Sequence, residues 1–431
     1  MNFLKKQSPV RIISLGFALV ILIGSVLLSL PCSIRDGVTL RYIDALYMST
    51  SAVCVTGLLT VDAGDTFTPL GQFFLGMLIQ VGGLGVTAVG TGVILAMGKK
   101  INLKARNLIR EAGNLDSGKG VIRFIRLVFL TTITFELAGA ALSFLVFRKN
   151  FPPLKAAGVS LFHSVASFNN SGFDILGGGQ NLIPYQDDVL LNVVTCALVI
   201  FGGIGFLVIR EVIAKRFRWK KLSMHAKVVL FMSLVLTAAG TVLLKLTEDI
   251  TWMGAFFTSV SARTAGFSTF PLGSFSGAGL LTVIVLMVIG ASPGSTGGGI
   301  KTTTCYVLFE GIRSSATNTS EKAFRYAVPA DAFRKAAVIT LLAIGIVLSG
   351  TYILVILEPG VPFLDALFEM SSAFGTAGLS TGISAGLCDA AKILTILIMF
   401  IGRLGPLTIA SLWYFTKGER VSYPEGNIAI G

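Results

Sequence analysis

Four segments of the sequence share a pattern that could strip water from an ion. They read LYMSTSAVCVTGL at 46–58, LFHSVASFNNSGF at 161–173, FFTSVSARTAGF at 256–267 and LFEMSSAFGTAGL at 367–379. All four align on a glycine: Gly57, Gly172, Gly266 and Gly378. Small and polar residues lead into each one. Glycine reaches positive φ without a Cβ penalty, so it can turn successive carbonyls toward one side. A ring of such carbonyls can replace the hydration shell of a cation. The first and last segments also share the tripeptide DAL, starting at Asp44 and Asp365.

The elements that must position these segments follow from hydropathy. The chain has 431 residues, of which 53% are hydrophobic and 13% charged, and its mean hydropathy is +0.80. A soluble domain carries about 25% charged residues. A membrane-spanning helix needs about 20 apolar residues, and eight stretches qualify: 12–30, 71–97, 124–147, 188–213, 226–246, 279–309, 336–357 and 391–415. Four shorter stretches, 43–53, 158–168, 252–262 and 363–374, carry the glycine-ended segments. A helix of about 11 residues rises only about 16 Å, too little to cross, so these are read as re-entrant. Irregular backbone at membrane depth survives only where protein or water surrounds it. Four half-helices entering from outside would aim C-terminal ends, partially negative, at one centre and favour a cation there. The expected fold is an all-α polytopic membrane protein with four tandem helix–pore-loop–helix repeats around one pseudo-four-fold ion pore. The repeats are assigned to 1–97, 98–220, 221–325 and 326–431, the last with a short cytoplasmic tail.

Charge gives the orientation. The net charge is +13. With the N-terminus inside, the inner segments hold 25 Lys and Arg and the outer segments seven, while Arg263, Lys301 and Arg403 fall at membrane depth. That asymmetry is what the positive-inside rule expects, and both termini are placed in the cytoplasm. A basic balance in a soluble chain would suggest nucleic acid; eight apolar spans exclude that partner. The inner basic loops 98–126 and 210–227 are read as topology signals that touch anionic lipid and a cytosolic partner. The apolar stretch Ile12 to Leu30 follows Lys5, Lys6 and Arg11 like a secretory signal, but it is longer than such a core and is read as the first span. No paired carboxylates, nucleophile triad or metal cluster is visible. Five scattered cysteines and two distant histidines form no zinc or disulfide framework, so an enzyme is not expected.

A second set of glycines lies in the long spans: Gly82, Gly83 and Gly85; Gly202, Gly203 and Gly205; Gly290 and Gly294; Gly402 and Gly405. These either break the spans or let helices pack closely. The third cluster is the most disruptive. Gly290, Pro293, Gly294, Ser295, Thr296, Gly297, Gly298, Gly299 and Lys301 fall within twelve residues, and proline with five glycines breaks any helix. Gly294 and Gly299 have phosphate-loop spacing, but Ile300 precedes Lys301 and no strand leads in, so a nucleotide site is not expected.

On these four loops the sequence resembles the Trk/Ktr/HKT superfamily of cation transporters over almost the whole chain. Eight spans without an extra N-terminal pair resemble its Ktr type of membrane subunit. The resemblance implies potassium uptake through a filter formed by Val55, Thr56 and Gly57, by Asn170, Ser171 and Gly172, by Thr264, Ala265 and Gly266, and by Thr376, Ala377 and Gly378. In plant relatives a serine at the first filter glycine accompanies sodium transport, so Gly57 points to potassium. The loop 290–300 would be the intramembrane gate, and Arg403 would face the pore as a positive barrier. The resemblance further implies a homodimer in the bacterial inner membrane. A cytosolic RCK ring would control it and would carry the ATP or ADP, leaving no cofactor in this chain. Sodium as an activator stays open, and a sodium- or proton-coupled secondary transporter is the alternative. For the remaining intramembrane charges, Arg263 is expected to brace its loop through buried carbonyls or Glu369, and Glu136 to pair with one of the three bases or to line an interface.

Overall fold

A computed structural model describes residues 9–96, 120–329 and 331–411. The basic stretch 97–119, the first eight residues and the tail from 412 lie outside the described residues. Four times the chain runs through a long peripheral helix, a short pore helix, a glycine turn and a broken inner helix. The peripheral helices are Pro9–Leu28, Val121–Phe147, Met224–Thr247 and Ala332–Leu357, each long and apolar enough to cross a membrane. The pore helices are Tyr42–Cys54, Pro153–Phe168, Trp252–Ala262 and Phe363–Gly375. Even the longest, at 16 residues, reaches only about 24 Å.

The inner helices depart from the hydropathy reading of continuous spans. Pro69–Leu84 and Val86–Gly92 meet at 102°, and Val189–Ile204 and Phe206–Ala214 at 98°. The hinges are Gly85 at φ 85° and Gly205 at φ 97°, a region side chains avoid. The third inner element is Gly277–Val288, then an irregular stretch, then Thr302–Thr317; the fourth is Asp389–Leu404 followed by Pro406–Ser411. By length and composition alone, four helices among the described residues qualify as crossings, or six if each bent pair is one span. The other two inner elements fall short because one is broken after 12 residues and the other after 16.

The second glycine set both breaks and packs. A Cβ on Gly82 would strike the carbonyl of Val53, one on Gly202 that of Phe168, and one on Gly402 that of Phe374. In three repeats, then, an inner-helix glycine lets the last turn of its own pore helix press directly on helix backbone. The outward ends of the inner helices are fixed by ordinary N-caps. Thr68 accepts from the Gly71 amide at 3.3 Å, Asp188 from Leu191 at 2.9 Å and Ser276 from Gly279 at 3.1 Å.

Burial is arranged for lipid. Leu130, Leu137, Leu234 and Leu341 on the peripheral helices are exposed, whereas Ser49, Thr50, Ser51, Ser164, Ser167 and Asn169 near the axis are buried. The ring closes between its ends through a buried ion pair, Lys392 Nζ to Asp44 Oδ1 at 2.6 Å, with Arg41 on Asp389 beside it. Removing one partner of a buried pair leaves an uncompensated charge and costs about 3–5 kcal/mol. Asp44→Ala is therefore expected to lower the thermal unfolding midpoint in detergent sharply, and Asp44→Leu with Lys392→Met to recover most of the loss. A small hairpin, Lys322–Ala323 with Tyr326–Ala327, joins the third and fourth repeats and carries no hydropathy signal.

Candidate functional site: four glycine turns on one axis

Each pore helix ends in a turn that reverses the handedness of its backbone twice. Val55, Asn170, Thr264 and Thr376 have φ of 55°, 58°, 81° and 48°, and the glycines two residues on have φ of 97°, 68°, 78° and 82°. The sequence marked only the glycines. Positive φ in Val55, Thr264 and Thr376 is a true outlier for a β-branched residue, held because the surroundings over-determine it. All four residues are fully buried. Amides of the turn fold back on the pore helix: Thr56 on the Ser51 carbonyl at 2.7 Å, Ser171 on Ala166 at 2.9 Å, Ala265 on Ser261 at 2.8 Å and Ala377 on Ser372 at 2.9 Å.

With the amides turned away, the carbonyls of the same residues meet the neighbouring turns. A Cβ on Gly172 would lie 2.8 Å from the Ala265 carbonyl oxygen, and one on Gly266 2.8 Å from that of Ala377. One on Gly378 would strike the Thr56 carbonyl, and one on Gly57 that of Ser171. Each turn thus offers a carbonyl to the next glycine, always in the same sense, until the ring of four closes. Outside it lies a cavity of about 490 Å³ lined by Thr60, Asp62, Asp174, Asn181 and Ser380 among others. Burial, with Asp62 and Asp65 adding to it against the Leu176 amide, pushes the Asp174 carboxyl up to about 7.

Inside the ring lies the broken stretch of the third repeat. Ile289 and Ile300 form a parallel bridge, so residues 290–299 make a closed loop under the glycine turns. Gly298 donates to the Thr376 hydroxyl at 3.0 Å, Ser292 to the Gly203 carbonyl at 3.0 Å and Thr296 to the Gly202 carbonyl at 3.3 Å. Side chains at Gly297 and Gly298 would collide with Thr264 and Thr376. Lys301 turns back onto its own loop, donating to Gly297 O at 2.8 Å. Arg403 reaches across: its guanidinium donates to the Thr296 carbonyl in the loop and to the Gly82 and Gly83 carbonyls at the first-repeat break. Gly294, Ser295, Gly297, Lys301 and Arg403 line a second cavity of about 290 Å³ with Gly83, Leu84, Phe124 and Phe206.

The remaining intramembrane charges are placed differently from the sequence reading. Arg263 donates to the Ser233 carbonyl at 3.3 Å, while Glu369 is held by the Ser380 and Ser384 hydroxyls. The carbonyl bracing holds and the Glu369 pairing does not. Among the described residues Glu136 is paired with no base; it accepts from Asn169 at 3.0 Å and Gln80 at 3.3 Å. Asp44 with Lys392 is the buried pair the sequence missed. The shared DAL tripeptide was its only trace, because the partner lies 348 positions away.

This is the fold of a helical membrane protein whose four glycine turns meet on one axis. The model of the TrkH family, described as cation transport protein, matches residues 10–416, and the chain belongs to that family, whose members are transporters rather than enzymes. It is 36% identical to the Ktr system potassium uptake protein B of Bacillus subtilis, over 98% of this chain and 97% of that one. It is 35% identical to the potassium/sodium uptake protein NtpJ of Enterococcus hirae, over 99% and 98%. The crystal structure of the potassium transporter TrkH from Vibrio parahaemolyticus superposes with a TM-score of 0.75, covering 95% of this chain and 86% of that one at 19% identity.

Proposed function

We propose that this chain takes up potassium ions across a bacterial inner membrane, with both termini cytoplasmic and the segments 1–97, 98–220, 221–325 and 326–431 acting as four repeats of one pore. The observation that carries this reading is the closed ring of Thr56, Ser171, Ala265 and Ala377 carbonyls against Gly378, Gly57, Gly172 and Gly266. Together with Val55, Asn170, Thr264 and Thr376, these residues form the filter. Carbonyls in such a ring stand in for water around a dehydrated cation, and the inward C-terminal ends of four pore helices add partial negative charge. The membrane potential then drives entry at about 2.3 kcal/mol per charge per 100 mV.

The loop from Gly290 to Lys301, with Pro293, Gly294, Ser295, Thr296, Gly297, Gly298 and Gly299, is the gate, and Arg403 holds it closed. The names of the Ktr relatives describe components of a system, which supports partner subunits; the homodimer and a cytosolic RCK ring that binds ATP or ADP belong to the same proposal. The name of the Enterococcus relative supports a role for sodium beside potassium. Flux into proteoliposomes tests the reading: rubidium or potassium entry is expected to exceed sodium entry and to rise when the ring is supplied. Equal sodium and potassium entry would remove the filter assignment, and indifference to the ring would remove the regulatory one.

A further inference from the structure

The four pore helices carry different side chains at one equivalent place. Nine residues before each filter glycine stand Met48, His163, Phe257 and Glu369. All four are buried. Met48 and Phe257 have no polar atom to offer there, and His163 Nε2 bonds Thr195 on the inner helix at 2.9 Å. Among the described residues, Glu369 is the one of the four that bonds the segment beyond its own glycine. Its Oε2 accepts from the Ser380 hydroxyl at 2.8 Å and its Oε1 from the Ser384 hydroxyl. The Gly382 amide donates to Ser380 Oγ at 3.0 Å, which fixes the serine in turn. No basic side chain is ion-paired with Glu369 among the described residues.

A fully buried carboxylate at membrane depth is expensive and usually functional. Met48 and Phe257 show that a repeat of this fold closes with an apolar side chain at the same place, so folding of the unit does not call for the charge. Its position says what the charge does. Ser380 lies two residues past Gly378, and both serines line the outer cavity with that glycine, whereas Glu369 is fully buried. From the inner side, the Thr376 hydroxyl accepts from Gly298 of the intramembrane loop at 3.0 Å. The fourth turn is thus gripped at both ends. It also meets two of its fellows: a Cβ on Gly266 would lie 2.8 Å from the Ala377 carbonyl oxygen, and one on Gly378 would strike that of Thr56. A shift of this turn therefore opens two of the four junctions of the ring. Hydrogen bonds to a charged acceptor are shorter and stronger than neutral ones, and a binding geometry holds only where the residues behind it are themselves fixed.

We infer that Glu369, with Ser380 and Ser384, clasps the fourth glycine turn from behind and sets the spacing of the carbonyl ring, which makes Glu369 a positioning residue for ion selectivity. The repeats are then unequal by design: the ring is tuned through one carboxylate on one turn. This inference rests on the uptake reading above, so its test includes a readout that needs no transport.

Glu369→Met gives the fourth repeat the side chain of the first. Exchanging a buried charge for an apolar side chain of similar volume is often neutral for stability, so the melting midpoint in detergent is expected to stay near that of the wild type. Bi-ionic reversal potentials are expected to show the potassium-over-sodium ratio lowered about fivefold, equivalent to about 1 kcal/mol. Ser380→Ala with Ser384→Ala, which keeps the carboxylate and removes both donors, is expected to lower the ratio similarly. Glu369→Gln, which keeps one acceptor oxygen, is expected to lose less. An unchanged ratio in both Glu369→Met and the double serine variant would overturn the clasp. So would a lowered melting midpoint with the ratio intact, which would make these contacts a support of the fold alone. Binding of radioactive rubidium to purified protein, competed by sodium, reads the ring directly. A rubidium preference weakened in both variants, with no wild-type uptake into proteoliposomes, would keep the clasp and remove the uptake reading.

Discussion

Gly57→Ser is expected to cut the potassium-over-sodium permeability ratio at least about tenfold, a shift of about 1.4 kcal/mol, while leaving the protein folded. The backbone at this position has φ 97°, where a side chain costs about 1–2 kcal/mol. A Cβ there would run into the Ser171 carbonyl and stand 3.2 Å from the Gly378 Cα. Both neighbours are backbone atoms of adjoining turns, so neither can swing aside as a side chain would. The ring must widen, and the Thr56 and Ser171 carbonyls must move with it. Bi-ionic reversal potentials in planar bilayers measure the ratio. The same substitution at Gly85, where a Cβ meets nothing within 4 Å, carries the backbone cost without the collision and is expected to leave the ratio unchanged. A Gly57→Ser protein with wild-type preference would show that this ring does not select.

Arg403→Ala is expected to raise basal cation flux at least about tenfold, and Arg403→Lys to raise it less. Two effects add. Charge-assisted hydrogen bonds are worth about 1.5–3 kcal/mol each, and the guanidinium makes them to the Thr296, Gly82 and Gly83 carbonyls on two separate elements. Losing them frees the loop from the first-repeat break. The charge itself repels a permeating cation: two unit charges 4 Å apart cost about 4 kcal/mol at an effective dielectric of 20. Lysine keeps the charge but lacks the fork that spans two elements. Rubidium leak from proteoliposomes holding this chain alone separates the contributions. Equal leak in both variants would assign the effect to the clasp, and wild-type leak in Arg403→Lys would assign it to charge.

The four half-helices could be read from composition because lipid imposes a length threshold that they miss, and the glycines could be read because only that residue tolerates the turn. Local rules of this kind act within a dozen residues. The inner helices show where they stop. Hydropathy averages over the window that a hinge occupies, so Gly85 and Gly205 inside apolar runs look like helix until the two arms are seen at 102° and 98°. Glu136 marks the same limit. Its cost was visible in the sequence, but its partners Gln80 and Asn169 lie 56 and 33 positions away.

The sequence by itself therefore determined a membrane protein of half-helices and glycine turns, because each is enforced by solvent or sterics along the chain. Only the tertiary structure decided that Thr56, Ser171, Ala265 and Ala377 present their carbonyls in one closed ring, that Val55, Asn170, Thr264 and Thr376 bear the left-handed backbone, and that Arg403 clasps the intramembrane loop. Those contacts join residues more than 90 positions apart, such as Asn170 to Thr264 at 3.2 Å. Chain-local physics has no hold on such pairs until four repeats have packed around the axis.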